Sequence, residues 1–149
     1  MNVPRRPGKT AFHIVLATVI ALITAIGPAG TAGNSARYKL EPNKWLALDL
    51  AVIDVQAEQI KFHWPSTLLG IKTGYKATVR VKNGSVRQIG VALAVALYDK
   101  DSRLIGAGTT STRVGTIDPG DTAEFEVEFK HTTQRLEQAS QFHILLEIG

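Results

Sequence analysis

The stretch GVALAVALYDKDSRLIGAG, residues 90–108, decides the fold of this chain, because it is apolar for nine positions and then turns polar at Asp99. Side chains on a strand alternate between two faces, so the large residues share one face and the small residues share the other. The large face comprises Ile89, Val91, Leu93, Val95 and Leu97. The small face comprises Gly90, Ala92, Ala94, Ala96 and Tyr98. We predict a central strand whose large face packs in a hydrophobic core.

The small face of this strand is apolar too, so it also needs a cover. Residues 45–64 would present apolar side chains on both faces of a strand. We predict that this segment lies over the alanines. If it does not, the alanine face becomes the best candidate for a docking site for a partner protein.

The rest of the chain shows the same period of two. We predict strands at 75–82, 122–130 and 141–148, one or two further strands within 46–55 and 60–64, a bulged or edge strand at 104–114, and a helical turn within 133–140. The sequence Asn83-Gly84-Ser85 predicts a hairpin turn. Pro119 and Gly120 predict a type II turn before the strand at 122.

Two of these strands carry charged rows of opposite sign. Basic side chains alternate along one strand and acidic side chains along the other, and opposite charges on neighbouring strands gain about 0.2–1 kcal/mol per pair. The two strands are therefore expected to be neighbours in one sheet, as the second and fifth strands are in immunoglobulin-like sandwiches. The rows are Lys76, Arg80 and Lys82, and Glu124, Glu126 and Glu128.

Short strands separated by turns at intervals of about ten residues indicate an all-β fold. We predict a two-sheet antiparallel immunoglobulin-like sandwich over residues 33–149, with 45–64 as its N-terminal strands. A hydrophobic signal helix precedes it.

The N-terminal residues have the pattern of an export signal. Three bases and no acid lie in residues 1–10, an apolar run follows at 11–26, and small residues follow that run. Gly30 and Ala32 suit the −3 and −1 positions, which predicts cleavage after Ala32. The alternative is an uncleaved membrane anchor, although the apolar run is slightly shorter than the roughly 17–25 residues of a spanning helix.

Charge and cysteine content limit the partners. The chain has 17 bases and 13 acids, and removal of the three bases in residues 1–32 leaves a net charge of +1. This balance argues against nucleic-acid binding, which calls for a basic face with interleaved aromatics. There is no cysteine, so an exported domain must be held together by its core.

Four segments, in order, resemble the FxLYD-type domains of bacterial envelope proteins: residues 79–83 (VRVKN), 91–99 (VALAVALYD), 104–108 (LIGAG) and 117–125 (IDPGDTAEF). The resemblance covers residues 75–130 and implies a fibronectin-type or immunoglobulin-like sandwich, without an implied activity. The chain departs from the family pattern at Val95, where Phe is expected, and at Ser102, where a turn Gly is common.

Signatures of chemistry are weak in this sequence. Asp99 and Asp101 begin like a calcium loop, but Leu104 and Thr110 stand where an EF-hand has Gly and Glu. His63, His131 and His143 are far apart along the chain, although two of them could converge in a sandwich. No Gly-x-Ser-x-Gly motif or cysteine nucleophile occurs. We expect no catalytic residue, no cofactor and no metal.

Three other features have a structural interpretation. Asn83 begins a glycosylation sequence, which a turn explains equally well. Trp45 and Trp64 are expected in the core or at its rim rather than in a binding surface. For Tyr98 we expect packing near the end of the sandwich, and for Asp99 a carboxylate that binds the amides of the following turn.

The expected function is that of an exported, non-enzymatic module of the cell envelope. It would be periplasmic or extracellular and would contact an unknown envelope protein or play a structural role. Its only membrane contact would be through the leader, if that is not cleaved. The alternatives are a ligand- or metal-binding envelope module and a membrane-anchored accessory protein.

Overall fold

The computed structural model describes residues 32–64, 67–68, 71–72, 74–112, 115–130 and 136–149. The predicted leader lies outside the described residues except for its last residue, Ala32. His131 and Val114 also lie outside them. Among the described residues, no helix has the length and hydrophobicity needed to cross a membrane.

Strands make up nearly all of the described structure. Along the chain they are β1 (Ala32–Lys39), β2 (Trp45–Val52), β3 (Val55–His63), β4 (Thr67–Leu68), β5 (Ile71–Lys72), β6 (Lys76–Asn83), β7 (Val91–Tyr98), β8 (Leu104–Ser111), β9 (Thr122–Glu128) and β10 (Gln141–Ile148). A short 3-10 helix, Leu136–Gln138, lies within the predicted helical turn.

Eight strands form two antiparallel four-stranded sheets. The β7 sheet has the order β1-β10-β7-β8, and the β6 sheet has the order β2-β3-β6-β9. The short strands β4 and β5 pair with each other. The predicted all-β sandwich is confirmed.

The core lies between the two sheets. Large side chains of β7 and β10 face those of β3 and β6, and the rings of Phe62 and Phe142 meet across the gap with their centroids 4.9 Å apart. Leu93, Val95 and Leu97 are buried, as their alternation predicts. Burial of such residues, at roughly 1.5–3 kcal/mol for each large side chain, is the main stabilising term in a chain without disulfides.

The prediction that residues 45–64 cover the alanines is wrong. These residues form β2 and β3, which belong to the β6 sheet and pack on the opposite side of the core. Leu50, Ile60 and Phe62 from this segment are buried there. The two strands predicted within 46–55 and 60–64 are present as β2 and β3, but they lie on the other side of the core from the alanines.

Strand β1 is not predicted from the sequence. Its residues AGNSARYK contain few strand formers, but all eight pair with β10. Tyr38 stacks on Phe142, with 5.3 Å between ring centroids, which fixes the strand against the core. Ala32 pairs with Ile148, so cleavage after Ala32 would remove one residue from the start of β1.

The charged rows lie on neighbouring strands, as predicted. Strands β6 and β9 pair in a register that sets Arg80 opposite Glu124. Arg80 Nε lies 2.8 Å from Glu124 Oε1, and Lys76 Nζ lies 2.7 Å from Glu126 Oε1. These ion pairs lie on the outer face of the β6 sheet.

The prediction of a hairpin turn at residues 83–85 is wrong, because β6 and β7 belong to different sheets. The Asn83 side chain instead organises a crossover between the sheets. Its Nδ2 donates to the carbonyls of Arg87 (2.7 Å) and Ile117 (2.9 Å), and its Oδ1 accepts from Ser85. Asn83 is fully buried, so its amide is unavailable for a glycan in the folded chain.

The turn at Asp118-Pro119-Gly120-Asp121 has the features of type II. Gly120 has a φ of 81°, and the Asp121 N–H donates to the Asp118 carbonyl at 3.1 Å. Strand β8 lies at the edge of its sheet with a register shift opposite Leu97 and Tyr98, as its sequence predicts.

Candidate interaction surface

The outer face of the β7 sheet is the side directed away from the core. The strand registers arrange its residues in four rows, each crossing β1, β10, β7 and β8 in that order. The rows are Gly33, Glu147, Ala92 and Ser111; Ser35, Leu145, Ala94 and Thr109; Arg37, His143, Ala96 and Ala107; and Lys39, Gln141, Tyr98 and Leu104. We call this set the alanine face.

The side chains in the middle of the alanine face are apolar and project little from the sheet. Ala92, Ala94 and Ala96 are half-buried by their neighbours and project only a methyl group. Leu145 rises beside them and is 41% exposed, and Leu104 at one corner is 61% exposed. A contiguous apolar surface of this kind, rimmed by polar groups, is typical of interaction sites on small proteins.

Charge on the alanine face is confined to its margins, and the two signs are separated along the strands. Glu147 lies in the first row, whereas Arg37 and Lys39 lie in the last two rows on β1. The guanidinium carbon of Arg37 lies 4.9 Å from the centre of the Tyr98 ring. Tyr98 therefore lies at the end of the sandwich, as expected, but on its outer surface.

Two depressions mark the alanine face, and they differ in charge. The one at the basic end is lined by Arg37, Lys39 and Lys100 together with Gln141. The other lies on the alanine face itself, where Ala92, Ala94 and Leu145 line it, and extends around the edge of β8 to the acidic row of β9. The surface thus has a basic end and, beyond the edge of β8, an acidic side.

The outer face of the β6 sheet is different. Lys76 and Arg80 form ion pairs with the acids of β9 there, and the Arg80 guanidinium carbon also lies 4.1 Å from the centre of the Trp45 ring. A face covered by paired charges is well solvated. Of the two outer faces, only the alanine face has a low apolar centre.

The two tryptophans do not converge, and the expectation of a core or rim position is wrong for Trp45, which is 36% exposed. Trp45 lies under Arg80 on the outer face of the β6 sheet, and Trp64 packs edge-on against Tyr75, with 5.1 Å between ring centroids, at the rim of the core. Neither contributes to the alanine face.

Asp99 supports the end of the alanine face. Its Oδ1 accepts hydrogen bonds from the N–H groups of Asp101 and Arg103, both at 2.9 Å, which confirms the predicted turn. Ser102, in the same turn, has a φ of 59°. The carboxylate thereby holds the β7–β8 connection in the conformation that starts β8 beside β7.

The two histidines that the structure describes lie in different sheets. His63 Nε2 lies 3.0 Å from Thr78 Oγ1 on the β6 sheet, whereas His143 belongs to the alanine face. Burial lowers the pKa of His63, and the ammonium groups of Lys61 and Lys76 lower it further. Across the described parts of the chain, no group of three or more His, Cys, Asp or Glu side chains is arranged to hold a metal ion.

No protein-family model, curated protein or solved structure matches this chain. The centre of the alanine face consists of methyl groups and one leucine, and its charges lie apart at the margins. Small-molecule sites usually have polar groups that converge in a concave pocket. This surface is therefore better suited to contact with another protein surface.

Proposed function

We propose that the chain is an exported, non-enzymatic module of the cell envelope that binds another protein through the alanine face. The observation that carries this proposal is the contrast between the two outer faces. One has ion pairs between its central strand β6 and β9, with Trp45 at its far edge under Arg80, and the other has Ala92, Ala94, Ala96 and Leu145 at its centre. Apolar surface left on one face of a small sandwich is best explained by a partner.

We further propose that the sandwich is of the immunoglobulin-like, FxLYD type. The order β3-β6-β9 in one sheet and β10-β7-β8 in the other supports this assignment. So do the ends of the strands, because β6 ends at Asn83 and β7 ends at Tyr98, directly before Asp99.

The proposal of export depends on the N-terminal sequence. A basic segment, an apolar run and the small residues before Gly33 form the pattern that export machinery recognises. The membrane-anchored alternative uses the same segment uncleaved, and it leaves the alanine face free to bind a protein in the same compartment.

Two measurements in bacteria producing the full-length chain test this function. The first is the mass of the purified chain, which should correspond to a start at Gly33. Recovery with residues 1–32 intact, in the membrane fraction, would favour the anchored alternative, and recovery from the cytoplasm would contradict export.

The second measurement places a photo-crosslinking amino acid at Ala94, with Lys82 on the β6 sheet as the control position. We expect a defined protein adduct from position 94 and little or none from position 82. Equal labelling from both positions, or no adduct from position 94, would contradict a binding role for the alanine face.

A further inference from the structure

We propose that the partner of the alanine face is a second copy of this chain, joined face to face about a two-fold axis that crosses the strands. This inference rests on the proposed function, because it names the occupant of the same surface. It is carried by the shape of the alanine face and by the placement of its charges.

The shape of the alanine face favours a second sheet. Two sheets stack with their strands within about 30° of each other, and flat surfaces of small side chains allow a close approach. Ala92, Ala94 and Ala96 form such a surface, with Leu145 as the one tall apolar side chain near its centre. In a pair related by this axis, the two Leu145 side chains lie near each other along the facing β10 strands, and the alanines of the two β7 strands face each other beside them.

The charges of the alanine face distinguish between the possible axes. An axis that crosses the strands keeps β10 over β10 and reverses its direction, so Glu147 of one copy lies over the His143 end of the other, beside Arg37 and Lys39. An axis parallel to the strands keeps each row over itself. Because Glu147 shares its row with Gly33, Ala92 and Ser111, that axis gives the acid no cationic partner.

Charge complementarity therefore favours the crossing axis, and it acts twice in the dimer. The basic depression lined by Arg37, Lys39 and Lys100 of each copy then lies near Glu147 of the other. Such an isologous contact closes on itself and gives a dimer rather than a fibre.

The dimensions of the alanine face limit the area that the contact can bury. Four strands about 4.8 Å apart and eight residues of about 3.3 Å each cover roughly 500 Å² per copy, or about 1,000 Å² in a dimer. This is at the lower limit for a specific interface. We expect a reversible dimer with a Kd of roughly 10–100 µM.

The first test is charge reversal. Self-association is measured by sedimentation equilibrium on the protein purified from the producing cells, after any cleavage of the leader. Glu147→Arg and the double variant Arg37→Glu/Lys39→Glu should each weaken self-association by at least about tenfold, because like charges then meet at both ends of the interface. An equimolar mixture of the two variants should associate again, since every reversed charge then faces its opposite. Circular dichroism would verify that both variants fold.

The second test uses the absence of cysteine from the chain. Ala94→Cys introduces a single thiol near the proposed axis, and mild oxidation should give a disulfide-linked dimer. Val86→Cys is the matched control: Val86 is 90% exposed, so random collisions would cross-link it more readily.

Three results would overturn the inference. One is a dimer that persists in both charge-reversal variants. Such a dimer would form if two copies paired edge to edge through their β8 strands. Another is cross-linking that is faster at position 86 than at position 94. The third is a chain that stays monomeric up to about 1 mM, well above the expected Kd. If a photo-crosslink from position 94 then captures a different protein, the proposed function stands and only the self-association fails. If position 94 gives no cross-link to a second copy and none to a different protein, both the self-association and the proposed binding function are contradicted.

Discussion

Single residues at strand ends determine how the sheets are connected. Asn83 closes β6 by binding two carbonyls and Ser85, and Asp99 closes β7 by binding two backbone N–H groups. Asp99 was predictable, since Asp followed by a polar turn has a well-known local geometry. The role of Asn83 was not, because one of its acceptors, the Ile117 carbonyl, is 34 residues away.

Replacement of Asp99 by Ala tests the turn at the scale of one residue. We expect the free energy of unfolding to fall by about 1–2 kcal/mol, because two backbone amides lose a largely buried acceptor. Urea titration measures the change. Asp101→Ala, in the same turn but exposed, is the control and should change stability by less than about 0.5 kcal/mol. A similar loss in both variants would contradict a specific role for Asp99.

At the scale of elements, Gly108 is a point where β8 of one sheet lies close against β9 of the other. A Cβ atom added at this glycine would lie 2.6 Å from the Glu128 carbonyl oxygen and 2.7 Å from Val127 Cγ1. The glycines of residues 104–108 (LIGAG) indicate an irregular edge strand in the sequence. They do not indicate that this strand contacts β9. Sequence patterns describe each strand separately, whereas the contact depends on two strands from different sheets.

Gly108→Ala tests this contact. We expect a loss of roughly 1–3 kcal/mol, since the added methyl group has to displace backbone as well as a side chain. Thermal unfolding of the variant beside Gly74→Ala gives the comparison, because a Cβ at Gly74 meets nothing within 4 Å. An unchanged melting temperature in Gly108→Ala would show that the two sheets can separate there without cost.

The scale of the whole molecule is where the sequence interpretation failed. The apolar alternation in residues 45–64 was read as a cover for the alanines, but this segment completes the opposite side of the core. The alternation shows that residues 45–64 carry apolar side chains to bury, but it does not show how apolar side chains are distributed between the core and the outer faces. Outside the core, that distribution leaves the alanine face uncovered by the described strands.

Neighbouring positions on β7 test this arrangement. Leu93→Lys places a charge in the core, where Leu93 is 2% exposed, and we expect it to prevent folding. Ala94→Lys places the same charge on the alanine face, and we expect it to fold with a stability within about 0.5 kcal/mol of the original. Guanidinium titrations of both variants provide the measurement. A large destabilisation by Ala94→Lys would mean that part of the chain covers this face after all.

By itself, the sequence determined the strands with a clear alternation, among them β6, β7, β9 and β10, together with their inner faces and the pairing of the charged rows. Side-chain alternation and cross-strand charge are local or pairwise properties. Tertiary structure alone decided which sheet each strand joined, recruited β1 despite its weak propensity, and directed the side chain of Asn83 to a distant carbonyl. The physical reason is that sheet membership depends on the competition of all strands for the same core. That competition left GVALAVAL with one buried face and one face that the described strands do not cover.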